Sequence, residues 1–363
     1  MRLPKSQYLK RLGALRKRMA DEDLDYALVT DGHQLRYLVG YTGSNGLLLV
    51  GHRQADFLTD FRYTVQARSE VRGAKLTIAS GDLVDFLPNL PVLQKGRKKI
   101  GYENVRISEA RGKKLRHLVP QALFVGFAEL VAPVMEVKDE GEIALIQRAA
   151  DVADAGFSSV LQHIKPGVRE RDVAIELEYT MQKAGSEQAA FETIVASGPR
   201  SALPHGRASM RRIQKGDFVT LDFGATVEGY ISDITRTVIV GKPTSRQKRI
   251  YDLVRKAQRT AVQKARPGLA CSALDHVARS IIARAGHGTK FGHGLGHGIG
   301  LMVHEAPSVN AKSNTILQPG MVITIEPGVY FPGWGGVRIE DDIAIGRSGN
   351  RILTHSERDL IEL

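Results

Sequence analysis

Four carboxylates and a run of histidines occupy positions where the surrounding residues read as buried strand. In Phe218-Val219-Thr220-Leu221-Asp222-Phe223-Gly224, a period of two puts Asp222 on the face opposite Leu221 and Phe223. In Tyr230-Ile231-Ser232-Asp233-Ile234-Thr235-Arg236-Thr237, Asp233 shares a face with Thr235 and Thr237. Gly224 and Gly229 bracket the connection, so a hairpin is expected to bring the two aspartates side by side. The β-branched run Val322–Ile325 ends in Glu326, and Val337–Ile343 places Arg338 and Glu340 two residues apart on one face. Adjacent buried carboxylates repel and desolvate badly unless a proton or a cation intervenes.

Glycine alternates through Gly292-His293-Gly294-Leu295-Gly296-His297-Gly298-Ile299-Gly300, with His304 close behind. Such glycines let backbone approach closely and leave histidine as the principal polar side chain. One histidine is usually structural; three within twelve residues, beside four carboxylates, point to a metal site. The oxygen-rich set suits two divalent cations, Mn²⁺ first, with Co²⁺, Fe²⁺ and Zn²⁺ as alternatives. A metal pair of this kind activates water and polarises a carbonyl, which is hydrolytic chemistry. The chain has no GxxxxGK[ST] loop, HExxH helix, GxSxG elbow or CxxC pair.

The elements that must position these residues divide near Pro133. Residues 6–22 read as an amphipathic helix with Leu9, Leu12, Leu15 and Met19 on one face. Strand signals at Tyr26–Val29, Leu47–Val50 and Lys99–Tyr102 alternate with helix signals, predicting an open α/β domain over 1–133. In 134–363, helices are expected at Ile143 to about 163, 170–185, 246–265 and 272–285, with stops at Pro166-Gly167 and Pro267-Gly268. Strands are expected at 216–223, 229–240, 299–303, 321–330, 337–345 and 351–355, giving a curved sheet with helices on one side.

Composition sets the outer limits. The 363 residues are 42% apolar and 25% charged, ordinary for a water-soluble chain of two domains. No apolar run is long enough to span a membrane, the first twenty residues lack a signal-peptide core, and Cys271 is the only cysteine. Together these predict a cytoplasmic protein with no membrane partner. Net charge is +12, and residues 1–133 carry 22 Lys and Arg against 13 Asp and Glu. No aromatics interleave with those charges, so a solvated face is favoured over a nucleic-acid partner.

At these motifs the chain resembles a known family. From about residue 137 onward it is similar to the pita-bread metallopeptidases, which include methionine aminopeptidase, aminopeptidase P and prolidase. The matching stretches are LDFGATVEGYISDITRT, GHGLGHGIGLMVHEAP, ITIEPGVY and VRIEDD, with 11 residues from Asp222 to Asp233 and 29 from His297 to Glu326. The resemblance implies Asp222 as a chelating ligand, Asp233 and Glu340 as bridging ligands, and His297 and Glu326 on the other metal, with a hydroxide between the two ions. It also implies Glu326 as proton shuttle, and His205 and His304 as donors to substrate. His293 and Arg338 resemble the proline-specific branch, as do GYTGSNG and TDFRYTVQA in a creatinase-like N-terminal domain. The activity implied is cleavage of Xaa-Pro at the amino terminus of short peptides by a homodimer, with Xaa-Pro dipeptidase slightly preferred over Xaa-Pro aminopeptidase. Rival readings are a methionine aminopeptidase-like enzyme, a metal-free creatinase-like hydrolase and a non-catalytic binding protein of the same fold.

Overall fold

The computed structural model describes residues 4–363, and the chain divides into one compact unit ending at Met135 and another over Glu136–Leu363. No helix among the described residues is long and apolar enough to cross a membrane.

The first unit runs α1 (Lys5–Asp21), β1 (Tyr26–Val29), α2 (Gly32–Val39), β2 (Leu47–Gly51), β3 (Ala55–Asp60), α3 (Thr64–Glu70), β4 (Lys75–Ala79), α4 (Leu83–Phe86), β5 (Lys98–Glu103), α5 (Glu109–Leu118), β6 (Ala122–Phe127) and α6 (Ala132–Met135). Its six strands form one mixed sheet in the order β4-β3-β2-β1-β5-β6. The β3–β4 and β5–β6 pairs are parallel, and α3 and α5 make their crossovers. Leu28, Leu47, Leu49, Leu58 and Ile100 fill the core. On α1 the buried stripe is Tyr8, Arg11, Leu12, Leu15 and Met19, whereas Leu9 is 46% exposed. The expected stripe is corrected there: positions 8, 12, 15 and 19 keep helical spacing, and Leu9 lies about 100° away from Tyr8.

The second unit runs α7 (Glu140–Val160), α8 (Glu170–Lys183), β7 (Ile194–Ser197), β8 (Phe218–Phe223), β9 (Thr226–Val227), β10 (Tyr230–Ile231), β11 (Ile234–Ile239), α9 (Ser245–Lys264), α10 (Cys271–Arg284), β12 (Gly296–Gly298), β13 (Glu305–Val309), β14 (Val322–Ile325), β15 (Gly328–Phe331), β16 (Gly335–Arg338), β17 (Asp341–Ile345) and β18 (Asn350–Ile352). All its ladders are antiparallel: β11-β8-β7, β10-β9, β13-β12-β14-β17-β18 and β15-β16. Helix α7 starts where the sequence turns acidic, because Asp139 and Glu142 form a reciprocal capping box.

Each helix pair covers one ladder. Phe157 of α7 and Leu177 and Met181 of α8 pack on Val219, Leu221 and Phe223 of β8. Val254 of α9 and Leu274, Ala278 and Ile282 of α10 pack on Ile323, Ile325, Ile343 and Ile345. Alternation then turns Asp222 and Thr324 away from the helices. The two ladders meet where Glu340 N–H donates to the Thr235 carbonyl at 3.1 Å.

Several expected strands are broken. The run 229–240 splits at Ser232-Asp233, 321–330 at Glu326-Pro327, and 337–345 at Ile339-Glu340. Residues 299–303 are not strand at all. They form a bend in which Gly300 N–H donates to Met302 carbonyl, and pairing resumes only at Glu305. Apolar content alone did not distinguish a buried bend from a buried strand.

Candidate active site and metal centre

Three of the four candidate acids stand at those strand breaks, where backbone donors leave the regular ladder. Asp233 N–H donates to Asp342 Oδ2 at 2.9 Å. Glu326 N–H donates to Leu295 carbonyl at 2.8 Å, and the following Pro327 has no N–H to continue the strand. Asp222 alone lies within a strand, opposite Thr235. Asp233 is therefore not its cross-strand partner but sits one residue past the Phe223–Ile234 pair. The β9–β10 turn at Glu228 (φ 49°) and Gly229 (φ 74°) closes the hairpin beyond them.

His297 lies at the centre of β12, squeezed between β13 and β14. A Cβ at Gly296 would fall 2.0 Å from Thr324 O, and one at Gly298 would fall 2.1 Å from Ala306 O. The alternating glycines thus permit the close strand approach that holds the imidazole. His297 Nδ1 lies 3.0 Å from its acceptor, the Gly298 carbonyl, so Nδ1 carries the proton and Nε2 presents its lone pair. Nε2 faces Glu326 Oε1 at 3.6 Å and Asp233 Oδ2 at 3.7 Å. Burial pushes this imidazole down to about 4, so it is neutral near pH 7 and these contacts are not ion pairs.

A lone pair aimed at two carboxylates is repulsive, and the acids show the same frustration. Burial first, then the charge of Glu340 and Asp222, raises Asp233 well above the usual carboxylate range. Burial and the neighbouring Glu340 raise Glu326 likewise, and burial with the Asp222 charge lifts Glu340 to about 8. One ligand atom each from Asp233, His297 and Glu340 lies within 4.8 Å of the others. Divalent cations at that point would satisfy every one of these groups, so the donor set fits metal.

Arg338 ties the acids to the rest of the site. Its Nη2 donates to Asp222 Oδ2 at 2.5 Å, Nε to Thr235 Oγ1 at 2.9 Å, and Nη1 to Tyr330 Oη at 2.9 Å and the Pro204 carbonyl at 3.1 Å. Thr235 Oγ1 donates onward to Glu340 Oε2 at 2.6 Å. Tyr330 Oη is 2.9 Å from His293 Nε2, and His293 Nδ1 is 2.8 Å from the Gly294 carbonyl. The donors therefore run in one direction: Arg338 to Tyr330, Tyr330 to a neutral His293, and His293 to backbone. Burial pushes His293 down to about 4, in keeping with that neutral form.

His205, Asp222, Asp233, His293, His297, His304, Glu326, Arg338 and Glu340 all line one pocket of about 610 Å³. The His304 ring centroid is 4.4 Å from that of His297. Sequence pattern alone does not mark Thr235 or Tyr330 as site residues. Thr235 already shared the Asp233 face, but a buried strand threonine is too common to signal a site. Tyr330 follows the ITIEPG stretch by two residues, and its hydroxyl acquires meaning only from Arg338 across the β15–β16 hairpin.

Comparison with known proteins agrees with this geometry. Residues 144–347 match metallopeptidase family M24, and residues 11–137 match the creatinase/prolidase N-terminal domain. The Xaa-Pro dipeptidase of Pyrococcus furiosus is 37% identical over 97% of this chain and 99% of its own length. Among solved structures, an Xaa-Pro dipeptidase from Bacillus anthracis aligns with a TM-score of 0.95 at 41% identity, covering 98% of this chain and all of that one. An X-Pro aminopeptidase from Thermotoga maritima aligns at 0.89 and 37% identity, over 97% of this chain and 99% of that one. The chain belongs to metallopeptidase family M24, and it is a metal-dependent peptidase.

Proposed function

We propose that this protein is an exopeptidase that hydrolyses the Xaa-Pro bond at the amino terminus of dipeptides or short peptides. The observation that carries the metal half of this reading is the His297 lone pair facing Asp233 and Glu326. The substrate half is supported by the Pyrococcus and Bacillus relatives, both Xaa-Pro dipeptidases. Asp222, Asp233, His297, Glu326 and Glu340 would hold two divalent ions, Mn²⁺ by preference for an oxygen-rich set without thiolate. When bound, the ions supply a Lewis acid for the scissile carbonyl and bring the pKa of a water toward about 7.

The protein's own groups then have distinct tasks. Glu326 takes a proton at its carboxylate and delivers it to the departing proline nitrogen. His205 and His304, on the pocket wall, donate hydrogen bonds to the developing oxyanion and to substrate. Arg338 compensates Asp222 and fixes Thr235 against Glu340, while Tyr330 holds His293 toward the pocket. Proline lacks an amide hydrogen and fixes its φ, which is why this bond calls for a dedicated site. We assign hydrolysis to residues 134–363, with residues 1–133 a separate supporting domain, and place the enzyme in the cytoplasm as a homodimer. Cys271, the single cysteine, suits a reducing compartment.

The deciding experiment compares Ala-Pro with Ala-Pro-Ala on Mn²⁺-loaded protein, with an EDTA-treated control. Metal-dependent cleavage of the dipeptide alone identifies a dipeptidase; cleavage of the tripeptide alone identifies an aminopeptidase, the activity named for the Thermotoga relative. Inertness to both with metal bound overturns the substrate assignment.

A further inference from the structure

The mouth of the pocket carries a charged pair that none of these roles uses. Glu192 Oε2 stands 2.8 Å from Arg207 Nε, and the two side chains are 60% and 78% exposed. Both line the same pocket as the carboxylate cluster, and among the described residues no Lys or Arg other than Arg338 joins Arg207 there. Arg338 is buried, and each of its three nitrogens already donates. Among the described residues, Arg207 has one side-chain partner, Glu192 at Nε, leaving its terminal nitrogens available.

The main chain beneath Arg207 is fixed. Glu170 is fully buried and accepts from Ser197 N and Oγ at 2.7 Å each, from Arg200 Nε at 3.0 Å, and from Ser209 N and Oγ at 3.1 and 2.5 Å. Arg200 Nη2 in turn donates to the Arg207 carbonyl at 2.5 Å. Ile194 pairs with Arg207 on one side and with Asp222 on the other, both antiparallel. Residues directly opposite on antiparallel strands share a face, so Arg207, Ile194 and Asp222 form a row directed at the pocket. Two strand spacings separate the ends of that row by about 10 Å. In an extended substrate the carboxylate of the residue after the reacting bond lies only about 3.5 Å beyond that bond, and the Arg207 side chain, which lines the same pocket from the far end of the row, covers the remaining distance.

We propose that Arg207 receives the free carboxylate of the residue that follows the scissile bond, exchanging Glu192 for it. A planar guanidinium fork matches a carboxylate with two parallel hydrogen bonds, whereas a peptide carbonyl or a terminal amide offers it no charge. The rim thereby selects substrates that end one residue after the cut. This rests on the Xaa-Pro reading and deepens it to dipeptides.

The test measures kcat and KM for Ala-Pro, Ala-Pro-amide and Ala-Pro-Ala on Mn²⁺-loaded wild type, Arg207→Gln, Arg207→Lys and Glu192→Gln. Arg207→Gln raises KM for Ala-Pro about tenfold, the loss of one charge-assisted pair at an exposed position. It leaves kcat and the Ala-Pro-amide values unchanged. Arg207→Lys recovers part of the loss, and Glu192→Gln lowers KM for Ala-Pro by removing the competing carboxylate. Added salt raises KM for Ala-Pro in wild type and not in Arg207→Gln. Equal effects on Ala-Pro and Ala-Pro-amide, or an unchanged KM for Ala-Pro in Arg207→Gln, overturn the assignment while the Xaa-Pro reading stands. A wild type inert to all three substrates overturns that reading and the assignment with it.

Discussion

At the scale of single residues, the site separates groups that face the cation position from groups that hold them there. Asp233 touches both sides of that division: its carboxylate faces His297 Nε2, and its N–H is held by Asp342. Replacing Asp233 with Asn keeps the shape and removes the charge that two cations would share. Activity should fall by about three orders of magnitude or more, and metal analysis should return fewer than two ions per chain. Near-normal turnover would rule out a shared ligand at this position. His293 belongs to the other group, since its ring nitrogens are engaged by Tyr330 and the Gly294 carbonyl. His293→Ala should lower kcat about 10- to 100-fold, as outer partners of a metal site do, with metal content unchanged. Metal loss in that variant would make His293 a ligand instead. What the sequence made legible at this scale was residue type: four acids and three histidines among buried-type neighbours. Donor direction was not legible, because the Arg338–Tyr330–His293 chain joins residues whose hydrogen bonds depend on cross-strand register.

At the scale of elements, the lesson concerns breaks. Each apolar run holding Asp233, Glu326 or Glu340 has the pattern of one strand, yet each acid occupies the gap between two short ones. A gap frees the residue's N–H from the ladder and lets its side chain turn toward a common point, which a regular strand forbids. The bend at 299–303 follows the same logic, and it carries the approach to His304. Its organiser is Glu305, whose Oε1 accepts Met302 N–H at 3.0 Å and whose Oε2 accepts Lys138 Nζ at 2.9 Å. A Cβ at Gly300 would sit 2.7 Å from Glu305 Oε2, so a larger residue there would push that carboxylate off its two donors. The Lys138 and Glu305 side chains are 1% and 5% exposed, so the pair is buried, and removing one partner strands the other charge. Lys138→Met should destabilise the second unit by about 3–5 kcal/mol in denaturant unfolding. Lys138→Met with Glu305→Gln should recover a large part of that. Equal destabilisation in single and double variants would mean that the loss is one of packing, not of an unpaired charge.

At the scale of the whole molecule, an α/β class is readable from the alternation of helix and strand signals, and Pro133 falls two residues before the end of the first compact unit. The ladder partition was not readable, because pairing between segments more than a hundred residues apart, such as Thr235 with Glu340, leaves no trace in local periodicity. That partition has a consequence for global stability. It concentrates Asp222, Asp233, Glu326 and Glu340 in one pocket with Arg338, while Asp342 is buried behind them. Without a bound cation, burial raises Glu340 from 4.5 to about 8, and Asp233, Glu326 and Asp342 well above their ordinary values. In the unfolded chain the same groups ionise near about 4. Between these limits the four acids hold protons that the unfolded chain has lost. They outnumber the two protons that His293 and His297, pushed down to about 4, give up on folding below about pH 6.5, so stability falls as pH rises from about 4.5 to about 8, most steeply above about 6.5. This is the reverse of the usual carboxylate contribution, in which a depressed folded pKa makes stability grow with pH. Divalent cations substitute for those protons and bind best when the carboxylates are ionised, so their stabilisation grows over the same interval. Scanning calorimetry of EDTA-treated protein should therefore show the transition of the second unit moving to lower temperature between pH 5 and pH 8. Excess Mn²⁺ should raise it most at pH 8. A metal-free transition that stays constant or rises across this interval would mean that the four acids are compensated within the protein, and the case for a cation-dependent site would lose its electrostatic basis.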